Sequence, residues 1–251
     1  MIKVGTCGWS ARGGRKKYFE YFSVIELQDT FYRLPRESTA RRWREQAPEG
    51  FEFTVKAWQA ITHPPTSPTW RRAGVKVSEE ERDKYGYFRP TDQVFEAWER
   101  TKRICEILKA KFVVFQTPAS FGYSEENVRN VEAFFSSIDR GGLILGWEPR
   151  GTWHEHRGML SRLLDRLDLV HVVDVLRRDP VRTPGIAYFR LHGLGGREVN
   201  YRYKYTDEDL ERLKNKVLKY AEEGDVYVMF NNVYMFDDAL RFKRMVGVGD
   251  E

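Results

Sequence analysis

The chain has 251 residues, with 42 lysines and arginines against 37 aspartates and glutamates, a formal net charge of +5. Its 41% hydrophobic content can bury a substantial core, and no apolar run approaches the length of a membrane span. Met1 to Ser10 lacks the apolar stretch of a signal peptide, and Cys7 and Cys105 are the only cysteines, so a soluble, reducing, cytoplasmic setting is expected.

The first strand is predicted over Ile2 to Thr6, followed by a short amphipathic stretch from Lys16 to Phe22. A second strand covers Val24 to Gln28, and a helix capped by Ser38 or Thr39 runs through Trp43 to Gln46. The third strand is Phe51 to Ala57. Beyond it, His63 to Gln93 is rich in proline and charge and reads as an irregular insertion or lid. A helix over Val94 to Ala110 places Phe95, Trp98, Ile104, Ile107 and Leu108 at helical spacing.

Phe112 to Thr117 is the fourth strand, and Asn127 to Ile138 is a helix. Strands five to eight are Leu143 to Glu148, Leu169 to Asp174, Ile186 to Leu191 and Val226 to Asn231. Helices are expected over Met159 to Leu167, Thr206 to Glu222 and Phe236 to Met245, with Thr206 and Asp209 resembling a capping box. The stretch from Asp174 to Gly185 is too short and proline-rich for a full helix. Eight strands alternating with helices predict an α/β chain of the TIM-type (β/α)8 class, one domain over residues 1–251 with 63–93 as its insertion. A doubly wound sheet is the rival, but neither a G-x-G-x-x-G turn nor a Walker sequence is present.

Nearly every strand ends in a polar group. Glu26, Lys56, Gln116, Glu148 with Arg150, Asp174, Arg190 with His192, and Asn231-Asn232 each close an apolar run. Burying such groups unpaired costs roughly 2–7 kcal/mol for a neutral group and more for a charge, so the pattern points to polar groups gathered for a purpose.

Read in order, the strand ends are Gly5 to Ser10, Glu26 to Tyr32, Lys56-Ala57 with Ile61-Thr62-His63, and Phe115 to Pro118. Trp147 to Arg150 with Trp153, Arg190 to Gly193 and Phe230 to Asn232 complete the series. This series resembles the YecE-like family, a domain of unknown function numbered seventy-two, from about residue 2 to residue 242. The resemblance implies a TIM-barrel-like fold and names no reaction. Three places depart from the family pattern: Cys7, where serine is commoner; Gln28-Asp29, where Asn-Ser is; and Val233-Tyr234-Met235, which lacks the usual glycine.

Side chains alternate faces along a strand, so Glu148 and Arg150 point one way, as do Arg190 and His192. Lys56, Arg150 and Arg190 would hold an anion, arginine being suited to bidentate contact with carboxylate or phosphate. Tyr32, Gln116, Asn231 and Asn232 would help bind the ligand. Glu26, Glu148, Asp174 and His192 are the candidate acids and bases. The expected ligand is a small anionic or polar molecule, phosphorylated or sugar-like. The competing account is a salt-bridge network that binds nothing.

Trp9, Tyr32, Trp58, Trp147, Trp153 and Tyr201 form either a stacking surface or ordinary packing. Cys7 reads as a small buried residue. Of the histidines only His192 is well placed, so a multinuclear zinc site is not expected; a lone divalent cation on carboxylates stays compatible, and no organic cofactor is implied. Arg36, Arg41, Arg42, Arg44, Arg71 and Arg72 offer two readings, a nucleic-acid surface or an ion-paired helix face. A non-catalytic ligand-binding barrel is the third functional alternative. Charged residues make up 31% of the chain, while asparagine and glutamine fill only 11 positions, a bias expected of a thermophilic source.

Overall fold

In the computed structural model of the chain, which describes residues 1–196 and 198–248, eight strands alternate with helices. They are β1 (Ile2–Cys7), β2 (Val24–Leu27), β3 (Glu52–Lys56), β4 (Phe112–Gln116), β5 (Ile144–Glu148), β6 (Val170–His171), β7 (Ile186–Leu191) and β8 (Asp225–Phe230). The sheet order is β6-β5-β4-β3-β2-β1-β8-β7, and a parallel bridge between Val173 and Phe189 joins its two ends. This is the topology of a TIM-type (β/α)8 barrel.

The helices are α1 (Arg15–Phe19), α2 (Asp29–Tyr32), α3 (Glu37–Gln46), α4 (Gln59–Thr62), α5 (Asp92–Leu108), α6 (Glu125–Ser137), α7 (Arg157–Arg166), α8 (Asp207–Ala221) and α9 (Met235–Met245). Their ends follow local chemistry. Thr91 caps α5 by accepting from Val94 N, Ser124 caps α6 by accepting from Asn127 N, and Thr206 and Asp209 complete the capping box of α8. The expected cap at Ser38 or Thr39 is displaced: α3 already starts at Glu37, and the Arg36 carbonyl accepts from Thr39 N and Ala40 N.

Clustering divides the chain into two compact units, Met1–Glu26 with Gln46–Phe53 and Val170–Glu251, and Leu27–Glu45 with Thr54–Leu169. In the first unit β1 lies parallel to β2, with Cys7 opposite Glu26, and to β8, with Thr6 opposite Phe230. β7 lies parallel to β8, with Leu191 opposite Phe230. β6 is shorter than expected because Asp174 starts a turn: its carbonyl accepts from Arg177 N and Arg178 N, and its Oδ1 accepts from Leu176 N. No helix separates β6 from β7, as the prolines between them predict.

In the second unit β4 lies between β3 and β5, with Lys56 opposite Val114 and Gln116 opposite Glu148. The segment 63–93 is less of a lid than its composition implies. It holds two short 3-10 turns, Pro68–Arg72 and Glu79–Lys84, and it is pinned by the buried rings of Trp70 and Phe88. Phe88 packs against Phe115, Phe121, Phe134, Phe135 and Trp147. Its backbone and that of Gly86 donate to the carbonyls of Ile61 and Ala60, tying the segment to α4. Gln93 falls inside α5, since Thr91 caps that helix earlier than expected.

Candidate functional site

In the second unit three adjoining strands end in a polar row. Lys56 closes β3, Gln116 closes β4 and Glu148 closes β5; Lys56 and Glu148 are buried and Gln116 is half-buried. Lys56 Nζ donates to Gln116 Oε1 at 2.8 Å, and Arg150, two residues past Glu148, donates to Glu148 Oε1. Arg150 is itself buried, so this ion pair is held away from solvent. Gly151 turns the chain directly after it with φ +69°, and a Cβ there would lie 2.6 Å from the Ala119 carbonyl, so only glycine fits.

Phe31 sits between two polar groups of the same unit. Lys56 Nζ lies 4.0 Å from its ring centroid and the His63 ring lies 4.8 Å away, edge to face. His63 is buried, its Nδ1 shares a 2.8 Å hydrogen bond with Thr62 Oγ1, and its Nε2 has no partner among the described residues. Burial, helped by the neighbouring Lys56 charge, pushes the imidazole down from 6.5 to about 3, so it is neutral. His63 reads from the sequence as a loop residue. The sequence signal for it is its place in Ile61-Thr62-His63, just after β3, one of the motifs that carry the family resemblance.

Tyr32, at the end of α2, is half-buried; its ring lies 3.8 Å under the Arg72 guanidinium and its carbonyl accepts from Gln59. Trp58, Trp147 and Trp153 are buried, and Trp147 and Trp153 donate to Thr117 Oγ1 and the Phe121 carbonyl. Trp147 and Trp153 are packing residues. On α3, Arg41 pairs with Glu37, and Arg103 of α5 pairs with Glu37 as well, so part of the basic tract is neutralised locally.

In the first unit Glu26 of β2 meets Arg190 of β7. Arg190 Nε lies 3.0 Å from Oε2 and Nη2 lies 2.9 Å from Oε1, while the Tyr188 hydroxyl donates to Oε2 at 3.0 Å. Neither side chain has any solvent exposure. Asp174 is buried and accepts from His192 N at 3.0 Å. His192 Nδ1 and Asn231 Nδ2 are 3.2 Å apart, and the His192 ring meets Tyr201, a half-exposed tyrosine, edge to face.

Asn232 faces elsewhere. Its Nδ2 donates to the Tyr203 carbonyl and to Asp238 of α9, and its buried Oδ1 has no partner among the described residues. It braces the start of α9, and burial raises the Asp238 carboxyl above its usual range. Gly193, after His192, has φ +80°; its N–H donates to the Tyr205 hydroxyl and its carbonyl accepts from Arg177. Cys7 and Cys105 are buried thiols. Among the described residues, no group of three or more His, Cys, Asp and Glu side chains is arranged to hold a metal ion.

The sequence pattern of the family described as "Protein of unknown function DUF72" matches residues 3–250. The chain belongs to that family. It is 25% identical to the "UPF0759 protein YunF" of Bacillus subtilis (strain 168), over 100% of this chain and 95% of that protein. A DUF72 family protein from Thermotoga maritima is 24% identical, covers 98% of this chain and 99% of its own, and superposes with a TM-score of 0.72. One from Enterococcus faecalis is 20% identical, covers 100% and 97%, and has a TM-score of 0.74.

The fold extends beyond DUF72. Endonuclease IV from Thermus thermophilus shares it at a TM-score of 0.59 and 13% identity, over 98% of both chains. A D-tagatose 3-epimerase-like protein shares it at 0.55 and 15%, over 97% and 95%. The DUF72 chain thus has the TIM-barrel fold found in endonuclease IV and sugar-epimerase-like proteins. No helix among the described residues is long and apolar enough to cross a membrane.

Proposed function

We propose that this DUF72 chain binds a small anionic or polar molecule, phosphorylated or sugar-like, at the ends of β3, β4 and β5, and that Glu148 moves a proton on it. The observation that carries the reading is the row of Lys56, Gln116, Glu148 and Arg150 on three adjoining strand ends of the second unit. In (β/α)8 proteins the C-terminal strand ends are where the chemistry is done. Lys56 supplies a compact charge, Arg150 a planar fork, and Gln116 an amide that fixes the ligand's orientation. The sugar-like part draws support from the D-tagatose 3-epimerase-like fold neighbour.

Glu148 is the acid or base because it ends β5 with its carboxylate beside the Arg150 guanidinium. Glu26 is left out of the chemistry. Arginine occupies both its oxygens, whereas retaining glycoside hydrolysis needs two available carboxyl groups about 5–5.5 Å apart. Proton transfer to or from carbon or oxygen fits the row better than that scheme. His192 with Asn231 gives the first unit a polar pair of its own at the ends of β7 and β8. Two buried, unbridged cysteines suit a reducing, cytoplasmic setting.

Calorimetric titration with a panel of sugar phosphates and their unphosphorylated parents tests the reading. A ligand is expected whose affinity falls about tenfold or more in both Lys56→Met and Arg150→Met, each tenfold step being about 1.4 kcal/mol. Glu148→Gln is expected to keep that ligand and lose turnover. Unchanged affinity in both cation variants removes the proposal.

A further inference from the structure

A cavity of about 560 Å³ lies wholly within the second unit. Its wall combines the segment after α2, the residues that follow the 3-10 turn at Pro68–Arg72, and part of α5. The size suits a small organic molecule, since ligand pockets run from about 300 to 1,000 Å³. Leu34, Pro35, Val75 and Ile104 make part of the wall apolar. Four arginines, Arg33, Arg36, Arg100 and Arg103, face two glutamates in the same wall, so its charges do not balance.

Two carboxylates line the cavity and both are already engaged. Glu37 accepts from Arg103 at 3.2 Å through each of its oxygens and from Arg41 at 2.9 Å, and Glu99 lies 3.1 Å from Lys102. Three guanidinium groups in the same wall, Arg33, Arg36 and Arg100, have no carboxylate partner among the described residues. Arg100 instead rests 4.8 Å from the Trp58 ring centroid. Trp58 is 4% exposed, and its indole N–H has no hydrogen-bond partner among the described residues. Leaving a buried N–H unsatisfied is unfavourable, so the ring beside Arg100 is a sensitive reporter of a change in this wall.

We propose that this cavity is a binding site for a small organic phosphate, with Arg33, Arg36 and Arg100 on the phosphoryl group and the apolar wall on the organic body. A carboxylate has two oxygens and one charge, too little for three separate forks. A phosphate monoester brings up to two charges and three terminal oxygens, enough for one fork each. An inorganic ion would leave the Leu34, Pro35 and Val75 surface in water, so the organic part adds affinity. The proposal stands apart from the row at Lys56, and the two are told apart by which substitution removes binding.

Phenyl phosphate, inorganic phosphate and phenol serve as probes, followed on the indole N–H signals of the ¹H–¹⁵N spectrum. The chain has seven tryptophans, and Trp58→Phe identifies the signal that belongs to position 58. Phenyl phosphate is expected to move that signal saturably, about tenfold more tightly than inorganic phosphate, while phenol leaves it in place. The triple variant Arg33→Ala/Arg36→Ala/Arg100→Ala is expected to lose the movement, and Lys56→Met to keep it. All three arginines are exposed, so their removal leaves the fold in place, and a thermal melt verifies that the triple variant is folded. A Trp58 signal that stays still, or one that still moves in the triple variant, overturns the proposal. Movement lost in Lys56→Met and kept in the triple variant assigns the phosphate to the strand-end row instead.

Discussion

Arg190 grips both oxygens of Glu26 in a pocket that admits no solvent, with Nη2 2.9 Å from Oε1 and Nε 3.0 Å from Oε2. Removing one member of such a pair strands the other charge, at a cost of about 3–5 kcal/mol. Arg190→Met is therefore expected to lower unfolding stability by about that amount in a urea titration. The double variant Glu26→Leu/Arg190→Met, which removes both charges, is expected to regain most of the loss. A double variant no better than the single one sinks this account.

His63 makes stability depend on acid. Its folded imidazole is pushed down from 6.5 to about 3, mainly by burial, so between those values the unfolded chain binds the proton and the folded chain does not. The contribution is fully present above about pH 6.5 and drains away as pH falls toward 3, for a total on the order of 3–5 kcal/mol. His63→Gln is expected to flatten that part of the stability profile. Equal slopes for the two proteins between pH 6.5 and 3 contradict it.

The strand and helix order was legible because eight apolar runs alternate with helical periodicity, and β7 was placed to the residue. What escaped had physical causes. β6 is two residues long because the Asp174 carboxylate and carbonyl bind the next turn, a side-chain effect that no periodicity reports. α4 is a single turn, too short to show a period. The site residues were legible as polar strand ends, but their pairings were not. Arg190 prefers the carboxylate of Glu26, from a strand 164 residues away, and Asn232 prefers the side chain of Asp238, six residues on in the first turn of α9. Composition also made 63–93 look like a lid, since two buried rings weigh little in a charged stretch. Those rings decide its structure.

Phe88 is the anchor of that segment. It is fully buried among five aromatic rings from β4, α6, β5 and the loop after β4, and it holds φ +50°, a conformation uncommon for a bulky residue. Phe88→Ala is expected to cost about 3–5 kcal/mol, by lost transfer energy and the cavity left behind. Limited proteolysis is expected to cut 63–93 faster in this variant than in the parent. A destabilisation below about 1 kcal/mol marks the segment as loosely attached after all.

Gly193 governs the backbone next to His192. At φ +80° an L-residue is strained, and a Cβ there would sit 2.1 Å from the Asn200 carbonyl oxygen and 2.7 Å from Tyr203 Cβ. Asn200 N also donates to the His192 carbonyl at 2.8 Å, so the loop cannot back away without breaking that bond. Gly193→Ala is expected to cost more than the roughly 1–3 kcal/mol of an ordinary strained backbone position. Because the His192–Asn231 pair hangs from the same turn, the His192 ring resonances are expected to shift in the variant. Gly193→Ala with parental stability and unshifted His192 signals shows that the turn tolerates a side chain, and separates the His192 position from the geometry of this glycine.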